Sequence, residues 1–218
     1  MVVVRSIKSI FSIAVCLVLF VASIQVSAQP LALAKFVAGT HYQVLENPVK
    51  LAPDDKIEVM EVFWYGCGHC YTFEPFVQAW KKTIAEDVAF MRTPAVWRKP
   101  MDEHAALYYV TQALDLPNEI HNDIFVLLTK ERSLNDENRF AEVFSAYGVD
   151  KETFLKAYKS FGIKSKVKQA KTRAQKHYLT QGTPELVVNG KYRVNTSMAG
   201  GHEGMLEVVD FLIDLERG

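Results

Sequence analysis

The feature that most limits the folds open to this chain is Cys67-Gly68-His69-Cys70, placed where a strand signal gives way to a helical one. Upstream, Lys56 to Tyr65 (KIEVMEVFWY) is a β-branched and aromatic run, the pattern of a buried strand. Gly66 breaks it. Downstream, Tyr71, Phe73, Phe76, Val77 and Trp80 recur at the spacing of one helix face, with Pro75 inside and expected to kink the helix. The two cysteines therefore open a helix, three positions apart and on one side of it.

Each part of this arrangement has a chemical use. The thiolate is the reactive form of cysteine, and an unperturbed cysteine is mostly protonated at neutral pH. At a helix N-terminus the unpaired N–H groups and the macrodipole stabilise negative charge on Cys67. Cys70, one turn on, is expected to be the more buried of the two and to close a disulfide with Cys67. His69 can add positive charge beside Cys67. A stabilised thiolate favours the reduced pair, which makes the disulfide an oxidant of other thiols. Competing explanations are weaker. A staple closing so short a loop contributes only about 2 kcal/mol before strain. A structural zinc site needs two further ligands, and the chain has no second Cys pair and no His pair at metal spacing.

The compartment follows from the first residues. Met1 to Ala28 contain no acid, Arg5 and Lys8 form a short positive region, and Ile10 to Ile24 are almost wholly apolar. Val26-Ser27-Ala28 is a small-residue cleavage pattern, so residues 1–28 read as a secretory signal peptide cut after Ala28. The alternative is an uncleaved anchor, but the apolar run is shorter than the roughly 20 residues a spanning helix needs. Cys16, in the middle of that run, is not read as a lipid-anchor cysteine. Of three cysteines, the processed chain keeps only Cys67 and Cys70. Its charge changes too: removing Arg5 and Lys8 lowers the basic count from 25 to 23 against 25 acids, a net charge of −2. That balance argues against nucleic-acid binding, which needs a basic excess.

The remaining pattern is β–β–α–β, a block of helices, then β–β–α. Tyr42 to Leu45 reads as a short edge strand and Val88 to Met91 as another strand. Asp102, Pro117 with Asn118, Asp136 and Asp150 each fit a helix start, ahead of helical periodicity at Ala105–Leu114, Ile120–Leu128, Phe140–Tyr147 and Phe154–Phe161. Lys164 to Tyr178 is a fifth helix with six basic residues and no acid. It is read as a solvated surface in preference to a basic binding face. Leu186–Val188 and Tyr192–Val194 flank Asn189-Gly190, a strong hairpin signal. Met205 to Leu215 is an amphipathic closing helix. Neither half closes a sheet alone, so an α/β sheet domain interrupted by helices fits better than two domains in series.

Four further residues are candidates. Glu61 lies in an otherwise apolar strand leading to the cysteines, and Glu74 is one turn past Cys70. Each is either a buried carboxylate tuning Cys70 or a surface acid. Thr183-Pro184 precedes a strand; a cis bond there would mark a constrained turn, although spacing alone favours an ordinary trans proline. His41, His104, His121, His177 and His202 form no recognisable cluster and receive no role.

Phe63 to Tyr71 (FWYGCGHCY), the helical block, and Gly182 to Tyr192 (GTPELVVNGKY) together resemble the DsbA family of periplasmic thiol–disulfide oxidoreductases, over the length from about Tyr42 to Leu215. The resemblance implies an α/β thioredoxin-like fold with an inserted helical domain: residues 29–100 and 180–218 as the discontinuous thioredoxin-like domain, 101–179 as the insertion. It implies that Cys67 is the exposed nucleophile, Cys70 its buried partner and His69 the thiolate's stabiliser. Pro184 would be cis and face the disulfide, with Thr183 offering backbone hydrogen bonds to an extended substrate. Glu61 and Glu74 match acids near the buried cysteine. A low-pKa cysteine and a strongly oxidising disulfide are known family traits, so neither is original to this chain. The implied partners are unfolded exported proteins with free thiols and a quinone-linked inner-membrane oxidase, with no cofactor beyond the Cys67–Cys70 disulfide, no metal and no nucleic acid. Many members carry proline where Gly68 stands, and Cys-Gly-His-Cys is also the pattern of protein disulfide isomerase.

The expectation is a soluble, monomeric periplasmic dithiol oxidase that donates its disulfide to exported proteins. A periplasmic isomerase or reductase on the same fold is the first alternative; isomerases usually need a dimerisation module ahead of the catalytic domain, and only about a dozen residues separate Ala28 from the first strand signal. An exported peptide-binding module with an incidental cysteine pair is the second.

Overall fold

In a computed structural model, residues 35–218 are described. The expected signal peptide, with Cys16 and the expected cut after Ala28, lies outside the described residues. The strands are β1 (Gln43–Val44), β2 (Ile57–Phe63), β3 (Val88–Pro94), β4 (Glu185–Val188) and β5 (Tyr192–Asn195). They form one sheet in the order β1-β5-β4-β2-β3, with β2 and β3 parallel and the other pairs antiparallel. Helix α1 (Gly68–Trp80) connects β2 to β3. Between β3 and β4 come α2 (Met101–Ala113), α3 (Glu119–Thr129), α4 (Glu137–Ser145), α5 (Lys151–Tyr158), α6 (Phe161–Thr172) and a π-helical turn, Arg173–His177. A short α7 (Thr196–Ala199) and a long α8 (His202–Arg217) close the chain.

Strand β2 is central because its sequence can be covered on both faces. Val59, Met60, Val62 and Phe63 are all buried. Val59 meets a cluster with Phe73, Val77, Leu186, Val194 and the inner side of α8 (Met205, Val208, Val209, Leu212). Met60 and Val62 face the other way, onto Leu45, Ala95, Ala174, Tyr178 and Val187. Phe63, at the end of the strand, joins the core of the helical block, which contains Ile124, Phe125, Phe140, Phe144 and Phe154. Cys70 and Tyr65 belong to that same cluster, so the helices between β3 and β4 pack directly over the buried cysteine.

Local signals account for most boundaries. Asp136 accepts from the N–H groups of Asn138 and Arg139, and Asp150 from that of Thr153, as N-caps do. Asn189 (φ 49°) and Gly190 (φ 63°) form the β4–β5 turn in the left-handed conformation that two-residue hairpins require. Gly190 is also constrained by packing: an added Cβ would stand 2.1 Å from the Val49 carbonyl oxygen.

Three boundaries differ from expectation. Helix α2 starts at Met101, just after a cis Lys99–Pro100 bond, so Asp102 lies in its first turn and is not its cap. The stretch Phe154–Phe161 is not one helix: α5 ends at Tyr158, and Ser160 caps α6 by accepting from the Ile163 N–H at 3.2 Å. The last turn of the basic helix widens to π, and there Arg173 donates to Thr93 Oγ1 at 2.9 Å and Gln175 to the Val96 carbonyl at 2.7 Å. The two bonds tie this turn to the end of β3 and to the residues just after it.

Candidate functional site

Cys67 is the N-cap of α1, in extended conformation (φ −95°, ψ 112°) with no side-chain cap of its own. Its carbonyl accepts from the Tyr71 N–H at 3.1 Å, while its own N–H is bonded to the Trp64 carbonyl at 2.9 Å. The sulfur is thus left at the mouth of the helix, partly exposed, among the first free N–H groups. Cys70 lies one turn further and is wholly buried. Both are free thiols.

The two thiols are electrostatically unequal. Cys67 is lowered to about 5, chiefly by a hydrogen bond from Cys70, against partial burial, with help from the Thr183 side chain and the backbone N–H groups of Cys70 and His69. Burial pushes Cys70 well above its ordinary value, and its contact with Cys67 adds to the rise. His69 is exposed to solvent, and its backbone N–H is among the groups that lower Cys67. A Cβ at Gly68 would meet nothing within 4 Å.

Across from the pair is the turn entering β4. The Thr183–Pro184 bond is cis, as the resemblance implied and against the trans expectation from spacing, which carries no information on the isomer. The Cys67 thiol donates to the Thr183 carbonyl at 3.3 Å over a separation of 116 residues, while Pro184 is buried. His202, at the start of α8, packs its ring on Phe73 and Phe76 of α1, with centroids 5.0 and 5.5 Å apart.

Beneath α1 lies a buried ionic cluster. Glu61 and Arg92 are register partners on β2 and β3, and Arg92 Nε donates to Glu61 Oε2 at 2.7 Å. Arg92 Nη2 donates to both oxygens of Glu74, at 2.8 and 2.9 Å. Gln78 donates to Glu74 at 2.6 Å. His121 Nε2 stands 3.6 Å from Glu74, too far for a hydrogen bond, and His121 Nδ1 is 2.7 Å from the Tyr65 hydroxyl. The two acids consequently differ. Glu61 is entirely buried, with Oε1 unpartnered, and burial raises its pKa despite Arg92. Burial alone would raise Glu74 too, but the N–H dipole that neutral His121 turns toward it, the Arg92 guanidinium and the Gln78 amide together hold it at about 2. Burial lowers His121 to about 4, so the imidazole is neutral at neutral pH. An Nε2–H tautomer lets Nδ1 accept from Tyr65 while the N–H points at Glu74.

The structure thus brings Cys67 and Thr183 together, with Cys70 buried one turn behind Cys67 and Pro184 buried next to Thr183, and it makes Glu61 and Glu74 buried rather than surface acids. It adds Arg92, Tyr65 and His121, the last of which had received no role from its place in the sequence. Arg92 had a weak signal, a lone charge directly after the expected strand Val88–Met91, and it falls within β3 because the strand runs on to Pro94. His121 had none, because only the packing of α3 on α1 brings it to Glu74. Among the described residues no group of His, Cys, Asp and Glu is arranged to hold a metal.

Comparison with known proteins agrees with this picture. Residues 88–210 match the model of the DSBA-like thioredoxin domain family. The cysteine pair lies outside that segment, so the match is independent of the motif. The thiol:disulfide interchange protein DsbA of Pseudomonas syringae is 41% identical over 181 residues, covering 83% of this chain and 84% of the relative. That of Azotobacter vinelandii is 41% identical over 191 residues, with 87% and 89% covered. The crystal structure of Pseudomonas aeruginosa DsbA superposes with a TM-score of 0.78 at 39% identity, covering 84% of this chain and 95% of that one.

Proposed function

The chain belongs to the DsbA family of thiol:disulfide interchange proteins, and from that premise we infer that it is a dithiol oxidase whose reactive group is a disulfide between Cys67 and Cys70. The observation that carries this reading is the inequality of the two thiols, one held near pKa 5 at the surface and one buried and raised. A thiolate that is already stable is a good leaving group, so the mixed disulfide at Cys67 is reactive.

The reaction balances as follows. A substrate thiolate attacks Cys67 Sγ, the Cys67–Cys70 bond breaks, and its electron pair leaves on Cys70, which takes a proton and becomes a buried thiol. A second substrate thiolate then attacks the substrate sulfur of the mixed disulfide. The substrate leaves with a new disulfide, and Cys67 leaves as a thiolate. The pair has gained two electrons and needs an external oxidant to be reset, the role assigned to a quinone-linked inner-membrane oxidase. No metal or organic cofactor enters any step.

The other residues act around this exchange. The Thr183 backbone beside Pro184 pairs with an extended substrate, and His69 supports the Cys67 thiolate. Of the two buried acids, Glu61, with a raised pKa and a free oxygen, is the one able to take up and release a proton, while Glu74 stays ionised on Arg92. The substrates are unfolded exported proteins met in the periplasm after signal cleavage, and the protein works as a monomer. Residues 29–100 and 180–218 act as the thioredoxin-like domain and 101–179 as its helical insertion.

Substitution of the cysteines tests the assignment. Cys67→Ser should abolish oxidation of a dithiol peptide while circular dichroism remains that of the parent, and Cys70→Ser should accumulate a mixed disulfide at Cys67. Oxidation that persists without Cys67 would overturn the mechanism.

A further inference from the structure

We propose that the face built from α2, α5 and α6 docks the protein on an anionic lipid bilayer. A groove of about 410 Å³ runs between these helices, with Ala106, Ile163 and Val167 along its apolar floor. Lys164, Lys168 and Lys171 line its α6 side. They follow one another at i, i+4 and i+7, so they form a single stripe along the helix. Among the described residues none of the three forms an ion pair. Lys99 and Lys159 add to the lining, with Lys159 paired to Glu137. The acids in the groove are Asp102 and Glu103; with Lys159 paired to Glu137, the four remaining lysines leave an excess of two positive charges.

At the head of the stripe stands Phe161, the first residue of α6. It is 86% exposed, more than any other large apolar residue described. The ring projects outward from the helix start and does not line the groove, so a ligand confined to the groove would leave it in water. A bilayer covers both features at once. The ring enters the headgroup boundary, and the lysine stems lie along apolar surface with their ammonium groups among the phosphates. An acidic polypeptide would answer the lysines but not the projecting ring. The concentration of charge is local, since the chain as a whole is neutral or slightly acidic. The groove shares no residue with the cysteine site, so docking and thiol chemistry can be scored separately.

The test is co-sedimentation of the purified protein with vesicles of phosphatidylcholine alone or mixed equally with phosphatidylglycerol. Binding is expected to the mixed vesicles only, and to fall as salt is raised. The triple variant Lys164→Glu, Lys168→Glu, Lys171→Glu should lose binding by about a hundredfold or more, the combined worth of three lysines at an anionic surface. The corresponding triple Gln variant should bind between the two, and both should keep thiol oxidation. Phe161→Trp should be quenched by lipids brominated in their acyl chains. Failure of the parent protein to bind the mixed vesicles at low salt, or equal binding by the triple Glu variant, would overturn the proposal. Binding to polyglutamate, or self-association, without vesicle binding would overturn it in favour of an acidic peptide or a second copy.

Discussion

Cys67 is held below its ordinary pKa by groups that also set how the reduced protein responds to pH. In the folded state it titrates at about 5, and in the unfolded chain at about 8.5. The folded state therefore binds fewer protons between these values, and the stability from Cys67 is fully present above the upper one and lost as pH falls through the lower. The oxidised form lacks this contribution, whereas the buried acids and His121 are common to both forms. The melting temperature of the reduced protein relative to the oxidised one should thus rise from pH 5 to pH 8, and calorimetry on both forms would show it; a difference that stays flat would contradict the assignment. Gly68 allows a second check. It is the first residue of α1, an added Cβ there meets nothing, and Cys67 before it is already extended, as a residue preceding proline must be. The N–H groups supporting the thiolate belong to His69 and Cys70, so proline at 68 removes none of them. Gly68→Pro should leave the thiolate titration, followed by absorbance near the ultraviolet thiolate band, within about one pH unit. It should also stabilise the fold by about 0.4–1 kcal/mol through the unfolded chain, read by denaturant titration.

At the scale of elements, β2, α1 and β3 hold two carboxylates and one guanidinium out of water. Arg92 answers both acids, and its side chain is 8% exposed. Removing it strands two buried negative charges, and Arg92→Met should cost about 3–5 kcal/mol in denaturant unfolding at pH 7. That loss should shrink at acid pH as Glu61, already raised by burial, takes a proton. The elements themselves were legible wherever their cause is local. β2 follows from its own β-branched run, α1 from the residues after Gly66, and the β4–β5 turn from Asn189-Gly190. Asp136 and Asp150 marked true helix starts. What sequence left hidden depends on distant partners or very short signals. The break at Ser160 sits inside continuous helical periodicity. The π turn at Arg173–His177 exists where Arg173 reaches Thr93 in β3 and Gln175 reaches Val96 just beyond it. Helix α7 spans only four residues. His121 reaches Glu74 only because α3 packs on α1, across a separation no local pattern encodes.

Across the whole molecule, one apolar cluster runs from Phe63 and Cys70 through Phe125 to Phe154, so the helices after β3 form the roof of the buried cysteine as well as a block of their own. Chain connectivity made the same point in the sequence, where strands resume after the helices, but the shared core could not be read there because its contacts join residues up to a hundred positions apart. The turn at Thr183 follows those helices in the chain and meets Cys67, which completes a site whose halves lie on either side of the helical block in sequence. A partly exposed, acidified thiol beside a buried one is the arrangement of a disulfide that gives up its oxidation readily. The most direct measurement is the redox equilibrium of Cys67–Cys70 against glutathione buffers, with the reduced fraction followed by thiol alkylation. A pair that becomes reduced even in buffers dominated by oxidised glutathione is the expected result. A pair that stays oxidised until almost all the glutathione is reduced would contradict the oxidase function and point to a reductase on the same fold.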